Sequence, residues 1–276
     1  MALPPYPSFL IIGFRHNATR WLRFNLDRHP SIYAPPVHPR FFVSEERMAE
    51  VGLRGYRELF TGWSDPLVVG EASWEYVDWV HDPVGTAKRI HRIIPDVRLI
   101  ALVDEPVRRF RSALAHARRV GEVPLDVEVE QVYRLDAAIG SALHMLVGGM
   151  PYQSLRPFWD TFGDQVLVEF VDDIRLDPAG TYRRVLRHIG VDDSFVPRDL
   201  AVPRFGDRGA EPDVDPPSLE AQQFLYAWNR DDVGLLAEAT GRDLSERDPG
   251  VGPETPSTDE LLALLLELGS KAENES

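Results

Sequence analysis

The chain contains no cysteine, and only Lys88 and Lys271 are lysines among its 276 residues. Without cysteine there is no disulfide, no thiolate metal centre and no cysteine nucleophile, which fits a reducing compartment. With so little lysine, a phosphate-binding loop must find its cation elsewhere. Positive charge is scarce overall: the formal net charge is −14, which argues against nucleic acid or an anionic membrane as a partner held by bulk electrostatics. A small anion is a different matter, because a few arginines dominate the field within about one Debye length, ~8–10 Å. Also missing is any apolar run approaching the ~20 residues that span a bilayer. The N-terminus lacks a basic leader, and Arg15 and Arg20 interrupt its apolar run, so it does not read as a signal peptide. Together these absences place the expected protein in the cytoplasm.

What is present is an alternation. Short apolar runs at residues 9–12, 67–69, 99–103 and 166–170 read as buried strands. Segments with helical period lie at 19–27, 83–94, 106–119 and 152–162, and this spacing indicates βαβ units around a parallel sheet. Pro83 and Pro106 suit first-turn positions. After Phe170 the pattern turns helical, over 177–189 and 218–240, with Gly241 as a C-cap. The expectation is an α/β, three-layer αβα domain with a central parallel sheet and extra C-terminal helices, spanning residues 1–247. A Pro/Gly-rich linker and an amphipathic helix then fill 248–276. The aperiodic stretch 196–217 reads as a binding loop or a surface excursion. The leucine-rich segment 258–268 must dock on something, either its own domain or a second copy in a homodimer.

Ligands of open α/β sheets bind at the carboxyl ends of the strands, so the loops after the first three runs carry the candidate chemistry. The first reads Gly13-Phe-Arg-His-Asn-Ala-Thr-Arg-Trp-Leu22. A buried strand feeding a turn and then a helix N-terminus makes an anion cradle from backbone N–H groups and the helix dipole. The other two are Gly70-Glu-Ala-Ser-Trp-Glu-Tyr76 and Asp104-Glu-Pro-Val-Arg-Arg-Phe-Arg-Ser112. Between the first and second lies Val37-His-Pro-Arg-Phe-Phe42, with His38 flanked by nearby prolines.

In this order the pieces resemble the sulfotransferase family that uses 3′-phosphoadenosine 5′-phosphosulfate (PAPS), a P-loop-like fold, from about Ser8 to about Leu244. The first loop is similar to the family's G-x-x-K-x-G-T-T-x-L. Gly13, Thr19 and Leu22 match, while His16 stands for the lysine, Ala18 for the glycine and Arg20 for the second threonine. His29-Pro30 resembles the L-x-x-H-P that closes the next helix. Residues 37–42 resemble K-E-x-x-F-F, with His38 at the glutamate that serves many members as base. Gly70-Glu71 resembles G-E-K-[ST]-P. In the third loop, similar to R-[DN]-P-x-x-R-x-x-S, Pro106, Arg109 and Ser112 match and Asp104 replaces the arginine.

The resemblance implies transfer of a sulfuryl group from PAPS to a hydroxyl of a small molecule, in a setting such as secondary metabolism. Arg15, Asn17, Ala18, Thr19, Arg20 and Trp21 would line the 5′-phosphosulfate, and Arg109 and Ser112 would hold the 3′-phosphate. His38 would be the base and His16 a general acid, with no metal. The substitutions allow another outcome. His16, His38, Asp104 and Glu105 on converging loops could perform acid/base chemistry (cyclisation, elimination or hydrolysis) without a sulfonucleotide, or the cleft could bind without turnover. Blander readings also stand: His38 as a loop histidine, Glu71 as a satisfied loop carboxylate, Arg109 and Arg111 as part of a solvated helix face, and Trp74, Trp79 and Trp159 as core.

Overall fold

A computed structural model describes residues 6–61, 68–125, 150–200 and 218–244. They divide into two compact units, with boundaries after Asp104, before Ser154 and after Phe205. The first unit holds the whole sheet. Its strands are β1 (Phe9–Gly13), β2 (Ile32–Tyr33), β3 (Val68–Ala72), β4 (Arg98–Val103) and β5 (Val166–Phe170). Every pairing is parallel, in the order β2-β3-β1-β4-β5. β1 is central because Phe9 through Ile12 are wholly buried, as strands covered on both faces must be.

Alternation divides these strands between two faces. Phe9, Ile11, Ala72, Ile100 and Leu102 pack with Trp21, Leu22 and Leu26 of α1 (Thr19–Leu26). Val171 and Ile174 of α6 (Val171–Leu176) and Tyr182, Val185 and Leu186 of α7 (Pro178–His188) complete that cluster. Each large side chain buried this way contributes about 1.5–3 kcal/mol. On the opposite face Glu71, aligned with Leu10, reaches Tyr56 of α2 (Glu45–Glu58). Helices on both faces make the three-layer αβα sandwich that the alternation predicts. Between β3 and β4 come two 3₁₀ turns, Trp74–Val77 and Trp79–His81, and α3 (Pro83–Ile93).

The His29-Pro30 pair turns out to be architectural. The Ser31 N–H donates to His29 Nδ1 at 3.1 Å, so Nε2 carries the proton and donates to the Asp192 carbonyl at 3.1 Å. The ring thereby ties the end of α1 to the segment after α7.

The second unit contains α4 (Pro106–Val120) and α8 (Leu219–Thr240), which pack together. Asp232, 2% exposed, accepts the N–H groups of Tyr152 and Gln153 at 2.8 and 2.9 Å, at the start of α5 (Pro151–Phe162). Its burial raises its pKa from 3.8 to about 7.

Several expectations need correction. The strand expected at 67–69 runs from Val68 through Gly70 and Glu71 to Ala72, so Glu71 is a strand carboxylate rather than a loop one. β2, α2, α6 and both 3₁₀ turns had no counterpart in the periodicity. The stretch expected as a loop from 196 starts by packing: Leu200 is buried and Val196 lies against the core. The remainder to 217, the 248–257 linker with its domain boundary, and the 258–268 segment lie outside the described residues.

Candidate functional site

The first site element is the turn between β1 and α1. Gly13 is required by close packing, since a Cβ there would lie 2.3 Å from Val77 Cγ2. The Phe14 N–H donates to the Leu102 carbonyl at 3.3 Å and Asn17 Nδ2 to the same oxygen at 3.0 Å. This side chain, 1% exposed, is therefore the loop's fastener to β4 rather than a surface ligand. His16 and Ala18 take left-handed backbone conformations, with φ of 70° and 58°. Ala18 occupies the N-cap of α1 and offers no side-chain oxygen. The first-turn N–H groups of α1, which have no intrahelical acceptor, are left without a side-chain cap. Arg20 is exposed and Thr19 half-buried beside them. Trp21 sends its indole into the core at 8% exposure, so any contribution to a ligand would come from main chain. Arg15 stacks on Trp74, its guanidinium carbon 4.9 Å from the ring centroid.

The second element, residues 38–43, is held by its main chain. Arg47 Nη2 donates to the Pro39 carbonyl at 3.3 Å, and the Arg40 N–H donates to Ser73 Oγ at 3.1 Å. Arg89 donates to the Phe42 and Val43 carbonyls, both at 2.7 Å. Arg40 Nε lies 3.3 Å from Glu75 Oε1, and Arg40 itself has φ of 54°, a conformation costing about 1 kcal/mol. Phe41 and Phe42 anchor the segment in an aromatic cluster, Phe41 stacked on Tyr56 at 4.2 Å. His38 is exposed as a residue, with its ring near the Ala72 main chain at the end of β3. Burial of the ring is the largest cause holding its pKa below the ordinary 6.5, and Arg23 and Arg20 push the same way. His38 therefore stands within electrostatic reach of the first turns of α1, with a neutral imidazole at pH 7.

Behind the second element, through Ser73, lies Glu71, fully buried. Tyr76 and Tyr56 donate to its Oε1 at 2.6 and 3.3 Å, and Ser73 donates to Oε2 at 2.8 Å. Burial raises its pKa from 4.5 to about 7, against the lowering effect of these hydroxyls. Ala72, where the G-E-K-[ST]-P pattern has lysine, belongs to the core.

Asp104 is 5% exposed directly after β4. Glu105 is not part of an acid/base cluster: its carboxylate caps α4, accepting the Val107 and Arg108 N–H groups at 2.7 and 2.8 Å. On α4, in the second unit, Arg109 is 5% exposed, which removes it from any solvated face, and Ser112 is half-buried. The three tryptophans are not core either, with Trp74 and Trp159 half-buried and Trp79 exposed. A polar groove of about 900 Å³ begins at Arg40 and is lined further by Ser44, Glu45, Glu50, His81 and Arg89. Periodicity missed Tyr56, Ser73, Glu75 and Tyr76. The usable signal was a hydroxyl-bearing residue every second or third position after Glu71.

Known proteins place the fold. The crystal structure of a sulfotransferase from Alicyclobacillus acidocaldarius matches with a TM-score of 0.71 and 26% identity, over 88% of this chain and 99% of that one. The sulfotransferase domain of the Synechococcus PCC 7002 olefin synthase matches at TM-score 0.50 and 18% identity, over 88% and 97%, which bears on fold alone. In sequence, human heparan sulfate glucosamine 3-O-sulfotransferase 6 is 35% identical over 200 residues, 67% of this chain and 53% of its own length. The mouse protein of the same name is 28% identical over the same coverage. The chain thus spans about half the length of the curated relatives it matches. No protein-family model matches it. The parallel sheet, the strand–turn–helix cradle and these likenesses agree: the chain is a divergent member of the sulfotransferase family.

Proposed function

We propose that this protein transfers a sulfuryl group from PAPS to the hydroxyl of a small polar molecule, with His38 as base. The observation that carries the reading is the placement of His38. A loop tied at successive main-chain groups presents an imidazole within electrostatic reach of Arg20 and Arg23, beside a helix N-terminus that no side chain caps. An uncapped N-terminus and an exposed arginine suit a sulfonate or phosphate.

PAPS, when bound, supplies a sulfuryl group already activated by its phosphosulfate anhydride. Thr19, Arg20 and the first-turn N–H groups of α1 would hold the 5′ end. His38 would take the proton as the acceptor's O–H bond breaks and a new O–S bond replaces the one from sulfur to the leaving phosphate oxygen, and its lowered pKa would keep it able to do so at neutral pH. Donors at α1 would stabilise the negative charge on the sulfuryl oxygens. His16, at the lysine position, would protonate the leaving phosphate oxygen. The groove that begins two residues after His38 would admit the acceptor, and its mixed charges favour a polar, hydroxylated molecule over a flat apolar one. The human relative is named for heparan sulfate; the net charge of −14 disfavours so densely anionic a polymer here.

A second reading keeps the cleft and drops the nucleotide. It is favoured by the loss of cationic side chains at His16, Ala72 and Asp104 and would leave His38 and His16 to acid/base chemistry on a small metabolite, or to binding alone. Incubation with ³⁵S-labelled PAPS and a panel of sugars, phenols and hydroxylated amides tests the first reading. Label appearing in an acceptor with the wild-type chain and not with His38→Ala supports it, and no labelled product at any acceptor counts against it.

A further inference from the structure

Among the described residues, three arginines line the groove that begins at Arg40, and they are engaged differently. Arg47 gives one terminal nitrogen to Glu50 at 2.8 Å and the other to the Pro39 carbonyl at 3.3 Å. Arg89, which is buried, commits Nε and Nη2 to the Phe42 and Val43 carbonyls, both at 2.7 Å, while its Nη1 faces Asp82 at 3.7 Å. Arg40 is held only from behind. Its N–H donates to Ser73 Oγ at 3.1 Å, and its Nε lies 3.3 Å from Glu75 Oε1. The Glu75 side chain is 6% exposed and that of Arg40 48%. Neither Nη of Arg40 has a hydrogen bond among the described residues. Its backbone stands at φ 54°, a strained conformation of the kind that gathers at ligand clamps. The groove's carboxylates are mostly answered. Glu45 meets Arg92 at 2.9 Å, Glu50 meets Arg47, and Asp82 accepts the Gly85 N–H at 3.0 Å. Glu46, the fourth in the lining, leaves no surplus of positive charge for a polyanion.

We propose that Arg40 is the specificity-determining residue of the groove, and that the acceptor it selects is a small hydroxylated molecule bearing one carboxylate. This rests on the reading of the groove as the acceptor's entrance. A guanidinium held at Nε keeps two Nη groups, and these match the paired oxygens of a carboxylate in a bidentate contact. Glu75 is a positioning residue: its Oε1 holds the Nε edge and leaves the Nη edge for the groove. Its other oxygen, Oε2, is buried without a hydrogen-bond partner. Arg40 is therefore the cation that compensates this carboxylate, and drawing it away would strand a buried charge. The guanidinium stays in place and works from its free edge. Arg40 and His38 are two residues apart, so their Cα atoms lie within about 7 Å of each other, a span that a small hydroxy acid covers.

The test sets acids beside their own amides on the full chain: gluconate with gluconamide, and 3-hydroxybutyrate with 3-hydroxybutyramide. Titration by saturation-transfer NMR reads binding without the nucleotide, and ³⁵S transfer from PAPS reads turnover. The wild type should favour an acid over its amide about 10–100-fold, the worth of one charge-assisted contact. Arg40→Ala should erase the preference by weakening the acid and sparing the amide, whereas a merely structural role would weaken both alike. Arg40→Lys, which keeps the charge without the fork, should restore part of it. Glu75→Gln should narrow it, and if that variant does not fold, the two Arg40 variants still decide. No preference for either acid, or one that survives Arg40→Ala, would overturn the inference, and transfer that continues would leave the proposed function standing. Acid binding that Arg40→Ala abolishes, in a chain that transfers nothing, would instead defeat the proposed function and keep the carboxylate site.

Discussion

Two loops at the same end of the sheet are built in opposite ways. The turn from β1 into α1 is fastened underneath, by Gly13 against Val77 and Asn17 on the Leu102 carbonyl. Above, it keeps a helix N-terminus without a side-chain cap. Residues 38–43 are bonded at Pro39, Arg40, Phe42 and Val43, and present one imidazole. The first arrangement suits a loop that completes its bonding with an anionic ligand, the second a loop whose product is the orientation of a single side chain. Both differ from the family pattern the sequence resembles, with His16 where that pattern has lysine and His38 where it has glutamate. Fold is inherited more readily than side-chain chemistry.

The comparison can be broken most forcefully at His38. His38→Ala should lower sulfuryl transfer about 10²–10⁴-fold with little change in melting temperature, because the loop is held by its main chain; a parallel loss of stability would mean that the ring is a structural strut. Transfer should rise with pH through a midpoint below 6.5, the direction set by burial and the two arginines. Next comes the buried carboxyl. Glu71→Ala leaves the Tyr56, Tyr76 and Ser73 hydroxyls without their acceptor and should cost about 3 kcal/mol in denaturant unfolding. The folded pKa of Glu71 is raised, so its protonated form is favoured by folding. That contribution is complete below pH 4.5 and is lost as pH climbs through about 7. Wild-type stability should therefore fall across that window, and Glu71→Gln should flatten part of the slope. Asp232, raised in the same direction, leaves the remaining slope. Smaller effects probe the first loop. Asn17→Ala should cost about 1–2 kcal/mol for the lost bond to Leu102. Ala18→Gly, at φ 58°, should raise stability by about 0.5 kcal/mol, strain relief outweighing the lost methyl.

Sequence alone made β1, β4, β5 and the helices between them legible, because β1 and β4 are apolar runs buried within the sheet, the edge strand β5 is apolar but for Glu169, and their helices carry amphipathic stripes. β2 escaped because two residues, Ile32 and Tyr33, carry no period. α2 escaped because Gly52, at φ 68°, interrupts its pattern, although Ser44 capping the Arg47 N–H was a readable start. The polar Glu71 ended the apparent run of β3. Its partners come from α2 and the following turn, and such non-local pairings leave no periodic trace. At the site, His38, Arg20 and the cradle were visible as residue types in order. The tie from Glu71 through Ser73 to Arg40 was not, because it depends on which face of β3 a carboxyl occupies.

The central claim is that the altered cradle still takes an adenosine nucleotide. Isothermal titration of the full chain with adenosine 3′,5′-bisphosphate tests it most directly. The account predicts one site per chain, weakened by Arg20→Ala. No heat with ligand at ~1 mM, the point at which binding is weaker than about 4 kcal/mol, would contradict it and leave the fold without its donor.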